Sequence, residues 1–222
     1  MAALRPEGHH KLTCTRTVTV GTARLLRWID GFADRHGPYE PTVTATEVTL
    51  RARDGSLAII EVPFPPLGVP RIADLLAHVK RERRVGVLLV RRGGYAAGVF
   101  VGAELVASKV GSSYVQGGTK AGGWSQQRFA RRRANQASAA LAAAAAVAAR
   151  ILATEQLDAL VLGGDRGAVR DVLADRRLQR LEGLVVPPWL EVKDPKLRVL
   201  AATPAQFLAA RIRITEADAA AQ

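Results

Sequence analysis

The sequence predicts an α+β fold: a mixed sheet containing an antiparallel meander, with helices packed on it. Three observations carry that expectation. Three short β-type runs lie close together between Val85 and Val110, a glycine-rich segment then opens a long alanine-rich helix, and apolar runs alternate with helical periodicity after it. With 222 residues, 48% of them hydrophobic and 23% charged, the chain can bury a core as one compact domain, with or without an appended lobe.

Residues 1–15 are polar and aperiodic and are expected to form a flexible tail; the adjacent His9 and His10 are weak grounds for a metal site. Thr17–Val20 reads as a strand. A helix from about Thr22 to His36 follows, with Leu25, Leu26, Ile29 and Phe32 on one face and Gly37-Pro38 as its stop. Val43–Arg51 and Leu57–Val62 read as a hairpin, because Arg53-Asp54-Gly55-Ser56 between them is turn chemistry. The proline-rich stretch Pro63–Pro70 marks a boundary or rigid connector.

After a helix over about Ile72–Glu82 come strands Val85–Arg91, Tyr95–Val101 and Leu105–Val110, whose short connections imply an antiparallel meander. A long helix is expected over about Ser125–Ala153. Leu157–Leu162 reads as a buried strand that turns through Gly163-Gly164-Asp165 into a helix reaching about Leu181. Leu184–Val186 and Leu197–Ala201 are expected strands, and Thr203-Pro204 opens a last helix. This order of elements is shared with ribonuclease-H-like folds, which raises the question of a nuclease.

The composition narrows the chemistry. One cysteine, Cys14, excludes an internal disulfide framework and a cysteine-based zinc cage. No basic-then-apolar leader is visible, and the apolar run Ala139–Ala149 is too short to cross a bilayer, so a cytoplasmic protein without a membrane partner is expected. A two-metal nuclease needs carboxylates placed to hold Mg²⁺ ions about 4 Å apart. The first meander strand carries none, and Asp165 and Asp171 read as a helix cap and a surface residue. Neither a nucleophile motif nor a phosphate-loop pattern is present, and no cofactor or metal is expected.

Charge is the outlying property. The net charge is +12, the isoelectric point is near 10.9, and 26 of the 32 basic residues are arginine. Arginine favours bidentate phosphate contacts and stacking. No Asp or Glu occurs between Glu104 and Glu155, whereas a solvated face normally mixes signs. Inside that acid-free stretch lies GSSYVQGGTKAGGWSQQRFARRRANQ, with Gly111, Gly117, Gly118, Gly122 and Gly123 ahead of Arg128, Arg131, Arg132 and Arg133. Cations at a helix start oppose the macrodipole by about 0.3–1 kcal/mol each. An arriving phosphate reverses that sign. Arg128, Arg131 and Arg132 share a face at i, i+3, i+4 spacing.

A glutamine mounted on glycines can enter a narrow RNA-lined site, where its side-chain amide or backbone N–H orients a water and stabilises an oxyanion. The segment Ser108–Gln136, after the meander and before the long helix, resembles the catalytic loop of release-factor-like peptidyl-tRNA hydrolases. It is most similar to their actinobacterial branch, which is related to the eukaryotic ribosome-quality-control hydrolase and to the central domain of class-1 release factors. The resemblance implies hydrolysis of the ester between nascent peptide and tRNA on a stalled large ribosomal subunit. The release-factor hallmark Gly-Gly-Gln is replaced here by Gly122-Gly123-Trp124-Ser125-Gln126-Gln127.

Carried over by position, Gln126 is the first choice for the catalytic glutamine and Gln127 its competitor, with Gly122 and Gly123 as the mount. Lys109, Lys120 and the four arginines are expected to contact RNA phosphates, and Trp124 either stacks on a nucleotide or seats the loop. The implied organisation is a tail (1–15), an N-terminal strand–helix–hairpin region (16–70) in the same domain, and a release-factor-like catalytic domain (71–215). The implied partners are the large subunit and peptidyl-tRNA, bound by a monomer. The competing expectation is a non-catalytic ribosome- or RNA-binding module on the same fold.

Overall fold

The structure, a computed structural model, describes residues 12–68, 71–91, 93–112 and 124–217, with backbone alone at 12–14, 124–130 and 133. The chain divides into two compact units, residues 1–81 with 209–222, and residues 82–208. The α+β class expected from the sequence holds in both: each has one five-stranded sheet with helices against it.

The first unit is built on an antiparallel sheet of order β1-β10-β4-β3-β2, from β1 (Leu12–Gly21), β2 (Tyr39–Val43), β3 (Glu47–Ala52), β4 (Leu57–Glu61) and β10 (Ala209–Ala217). Alternation selects its inner face. Val48, Leu50, Ala58, Ile60, Ile212 and Ile214 are buried, while their chain neighbours Arg51, Arg211 and Arg213 are exposed. Helix α1 (Leu25–His36) lays Leu25, Ile29 and Phe32 on that face, and α2 (Ile72–Lys80) adds Leu75 and Val79. Gly37 ends α1 with φ 83°, the left-handed stop expected from Gly37-Pro38. The hairpin turn is held by Asp54, which accepts from Ser56 N–H at 2.8 Å and lies 2.9 Å from His36 Nδ1.

Two elements here depart from expectation. Strand β2 went unread because Pro41 sits in it, which a sheet tolerates at its edge, and β2 is an edge strand. The expected last helix is a single turn, α6 (Pro204–Phe207), after which the chain returns to the first sheet as β10. The Arg211-Ile212-Arg213-Ile214 alternation is the physical reason, since only period two buries both isoleucines.

The second unit has a mixed sheet of order β7-β6-β5-β8-β9. Strands β5 (Arg84–Arg91), β6 (Gly94–Val101) and β7 (Glu104–Ser112) form the expected meander. Strand β8 (Ala159–Gly164) joins β5 in parallel, and β9 (Val185–Leu190) joins β8 in parallel. Helix α3 (Trp124–Leu152) and α4 (Arg166–Leu173) cover one face, with Ala144, Ala145, Ala148 and Leu152 meeting Leu88, Val99, Leu160 and Val169 in one core.

Helix α4 stops at Leu173 rather than Leu181. Asp175 accepts from both the backbone and the guanidinium of Arg177, a local alternative to continuing the helix. The run Leu197–Ala201, expected as a strand, is a short helix, α5, that buries Leu200; a five-residue apolar run carries no period that separates the two states.

The stretch Ala134–Leu152, longer than the apolar run noted in the sequence, is long and apolar enough to cross a membrane by length and composition. Its residues Ala144, Ala145, Ala148 and Leu152 are instead part of the second unit's core.

Candidate catalytic loop and basic interface

Strand directions gather the candidate site at one end of the second sheet. Strands β5, β7, β8 and β9 all finish there and β6 begins there. The segment between β7 and α3 therefore leaves from the carboxyl ends of the parallel strands, the edge at which open α/β sheets place ligands. Gly111, near the end of β7, faces Tyr95 in register. A Cβ on Gly111 would fall 2.3 Å from the Tyr95 ring, so only glycine lets the ring lie across the strand.

Tyr95 lines a cleft of about 320 Å³ with Val90, Arg91, Leu141 and Asp165. Arg91 is fixed by donating from Nη1 to the Val192 carbonyl at 3.0 Å. Asp165 caps α4 as the sequence implied, accepting from Ala168 N–H at 2.8 Å, and Asp171 is exposed beside Arg170. The Arg166 guanidinium lies 4.4 Å above the Trp189 ring centroid, and Trp189 Nε1 donates to the Gly164 carbonyl at 3.1 Å. Sequence reasoning missed Arg91, Tyr95, Arg166 and Trp189. Their only signals were an aromatic opposite a strand glycine and an arginine just inside a helix start.

Both ends of the second sheet carry charged side chains. At the opposite end, Arg84 Nη1 reaches Glu155 at 2.9 Å and its backbone N–H reaches Asp158 at 2.7 Å, with Glu82 and Glu104 exposed nearby. At the loop end, Arg91, Lys109, Arg131, Arg132 and Arg166 are exposed. Of the acids there, Asp165 is a cap, Asp194 is paired with Lys196 at 2.8 Å, and Asp171 and Glu191 are exposed. Among the described residues no cluster of three or more His, Cys, Asp or Glu could hold a metal ion.

Helix α3 is twenty-nine residues long, about 43 Å. From Arg131 to Leu141 its described residues are exposed apart from the half-buried Gln136, Ala140 and Leu141; the fully buried ones begin at Ala144. The described side chains over 131–139 are thus exposed apart from Gln136. Trp124, Gln126, Gln127 and Arg128 lie in the backbone of its first two turns, and Arg133 in its third, and no acid occupies the first turn. Arg131, Arg132 and Lys109 are exposed. Gly117, Gly118, Lys120, Gly122 and Gly123 lie outside the described residues, as does most of the expected tail.

No curated protein matches the chain. Among solved structures it is similar to the archaeal translation termination factor aRF1 (15% identity, 73% of this chain and 49% of that one, TM-score 0.36). Pelota of Archaeoglobus fulgidus also matches (11% identity, 94% of this chain and 67% of that one, TM-score 0.31). This chain thus spans about half the length of the termination factor. At these scores the superpositions locate no site. The Actinobacteria/chloroflexi VLRF1 release factor family matches residues 83–213, more than half of the sequence and nearly all of the second unit. The chain belongs to that release factor family.

Proposed function

We propose that the chain is a peptidyl-tRNA hydrolase that frees nascent peptides on stalled large ribosomal subunits. The observation that carries the reading is the Gly122–Gln127 sequence step at the start of a helix whose amino-terminal half holds no acid and whose Arg131 and Arg132 are exposed. Membership in a release factor family supports the same reaction class.

In this proposal Gln126, or Gln127 in its place, enters the peptidyl-transfer cavity on the glycine mount Gly122-Gly123. Water attacks the ester carbonyl carbon, and the amide or backbone N–H of the glutamine positions that water and the developing oxyanion. The bond to the terminal ribose oxygen of the tRNA breaks, and the water proton passes to that oxygen. No ionising protein group takes part, because the ribosomal RNA completes the site. Lys109, Lys120, Arg128, Arg131, Arg132 and Arg133 contact phosphates, and Trp124 stacks or seats the loop. The reading also takes residues 71–215 as the catalytic part, the protein as a cytoplasmic monomer, and the large subunit with peptidyl-tRNA as its partners.

The test is peptide release from isolated large subunits carrying peptidyl-tRNA. Gln126→Ala should reduce release by about 10²-fold or more while ribosome binding is retained, the scale of losing one oxyanion donor. Full release by both Gln126→Ala and Gln127→Ala would overturn the catalytic reading. Binding that persists without any release by the wild type would favour the non-catalytic module.

A further inference from the structure

The first unit carries a second basic groove, most of it outside the residues matched by the release factor family. It runs between α1 and the edge strand β1, has a volume of about 370 Å³, and is lined by Val18, Thr19, Val20, Arg24, Arg27, Trp28, Gly31 and Arg35. Trp28, Gly31 and Arg35 share one face of α1 at i, i+3, i+7, with Arg24 at its N-cap, so the groove follows the helix for about 16 Å.

Three features characterise these arginines. None of the three pairs with an acid among the described residues, unlike Arg16, Arg71 and Arg213 of the same unit though like Arg51, Arg53 and Arg211. No acidic residue lines the groove; Asp30 and Asp34 of α1 are exposed outside it. Arg24 and Arg27 also stand at the start of a helix with no acid in its first turn, where the macrodipole opposes them until an anion arrives.

The groove wall supplies an aromatic face as well. Trp28 is half-buried and stacked on Phe32, with centroids 5.8 Å apart and planes 16° apart, so the indole is held in place before any ligand arrives. A cationic track with a fixed aromatic ring is the chemistry of single-stranded nucleic acid binding. Gly31 leaves the floor open, since a Cβ there would meet no atom within 4 Å. We infer that this groove binds a single-stranded RNA segment, its phosphates on Arg24, Arg27 and Arg35 and a base on Trp28. An acidic peptide would use the arginines but leave the indole without a role.

The experiment is fluorescence anisotropy with a labelled oligouridine of about 12 nucleotides, using the full chain in an Arg128→Gln, Arg131→Gln, Arg132→Gln, Arg133→Gln background that removes the arginine cluster of α3. Adding Arg24→Gln, Arg27→Gln and Arg35→Gln should weaken binding at least about tenfold and flatten the salt dependence by about two logarithmic units of slope, roughly 0.7 for each phosphate left without its arginine. Gly31→Leu, which fills the floor without changing charge, should also weaken binding while the thermal melt stays at or above that of its parent. The inference is overturned if both variants bind RNA as the parent does, or if a labelled glutamate-rich peptide binds more tightly than the RNA. Peptide release plays no part in this readout, so the groove and the catalytic loop stand or fall separately.

Discussion

Replacing Gly164 with alanine should destabilise the second unit by about 2–5 kcal/mol. Gly164 ends β8 with φ 94°, and an L side chain in left-handed backbone costs about 1–2 kcal/mol. A Cβ there would also fall 2.1 Å from the Val90 carbonyl oxygen and 3.0 Å from its carbon. Val90 is the register partner of Gly164 on β5, so the obstacle is backbone in a paired strand and cannot rotate aside. Such overpacking adds about 1–3 kcal/mol, which gives the stated total.

The assay is urea unfolding followed by circular dichroism. With a slope of about 2 kcal/mol per molar urea, the midpoint should fall by roughly 1–2.5 M. Gly183→Ala is the control, since its Cβ meets no atom within 4 Å and the change should stay within about 0.5 kcal/mol. A Gly164→Ala midpoint that matches wild type would refute the argument that this close strand approach requires glycine.

Asp165→Ala should cost about 1 kcal/mol by removing the α4 cap, and Asp165→Asn should restore most of it, read from the same unfolding curves. In the first unit, burial pushes the Asp54 carboxyl up, but hydrogen bonds from Ser56 N–H, His36 and the Ser56 hydroxyl outweigh it and hold the group below its ordinary 3.8. A depressed carboxylate stabilises fully above its unfolded value, and the contribution disappears as pH falls through the folded one. Wild type should therefore lose stability below about pH 3.8 by an increment that Asp54→Asn lacks, measured as the difference between their acid titrations. Gly31→Ala, in a helix interior with open space around it, should stabilise the first unit by about 0.5–1 kcal/mol in a thermal melt.

The legible parts of the fold were those fixed by local chemistry. Asp54-Gly55 and Gly102-Ala103 close their hairpins with left-handed glycines, at φ 92° and 58°, and turns of that kind announce themselves in the sequence. The order β1-β10-β4 was hidden because pairings such as Thr17 with Arg213 join the two ends of the chain, and no local window contains both partners. The same limit applies to the site. The Gly122–Arg133 segment could be read directly, being one contiguous run of unusual composition. The cleft could not, since Tyr95, Leu141 and Asp165 meet only after β6, α3 and α4 have packed.

The alanine content of α3 then has a physical reason. A helix packed on its sheet draws stability from burial, as Ala144, Ala148 and Leu152 do here. The alanines are concentrated in that packed half, over Ala139–Ala149, where high intrinsic propensity adds to burial; residues 124–138 hold only Ala130, Ala134 and Ala137. Arginine at the helix start works against that stability through the macrodipole, and no acid in the first turn offsets it. The start of α3 is thus left electrostatically unfavourable in isolation. Under the proposed function, phosphate binding offsets that imbalance at the helix start. RNA contact would then stabilise the segment bearing Gln126 and Gln127 at the moment a water has to be positioned.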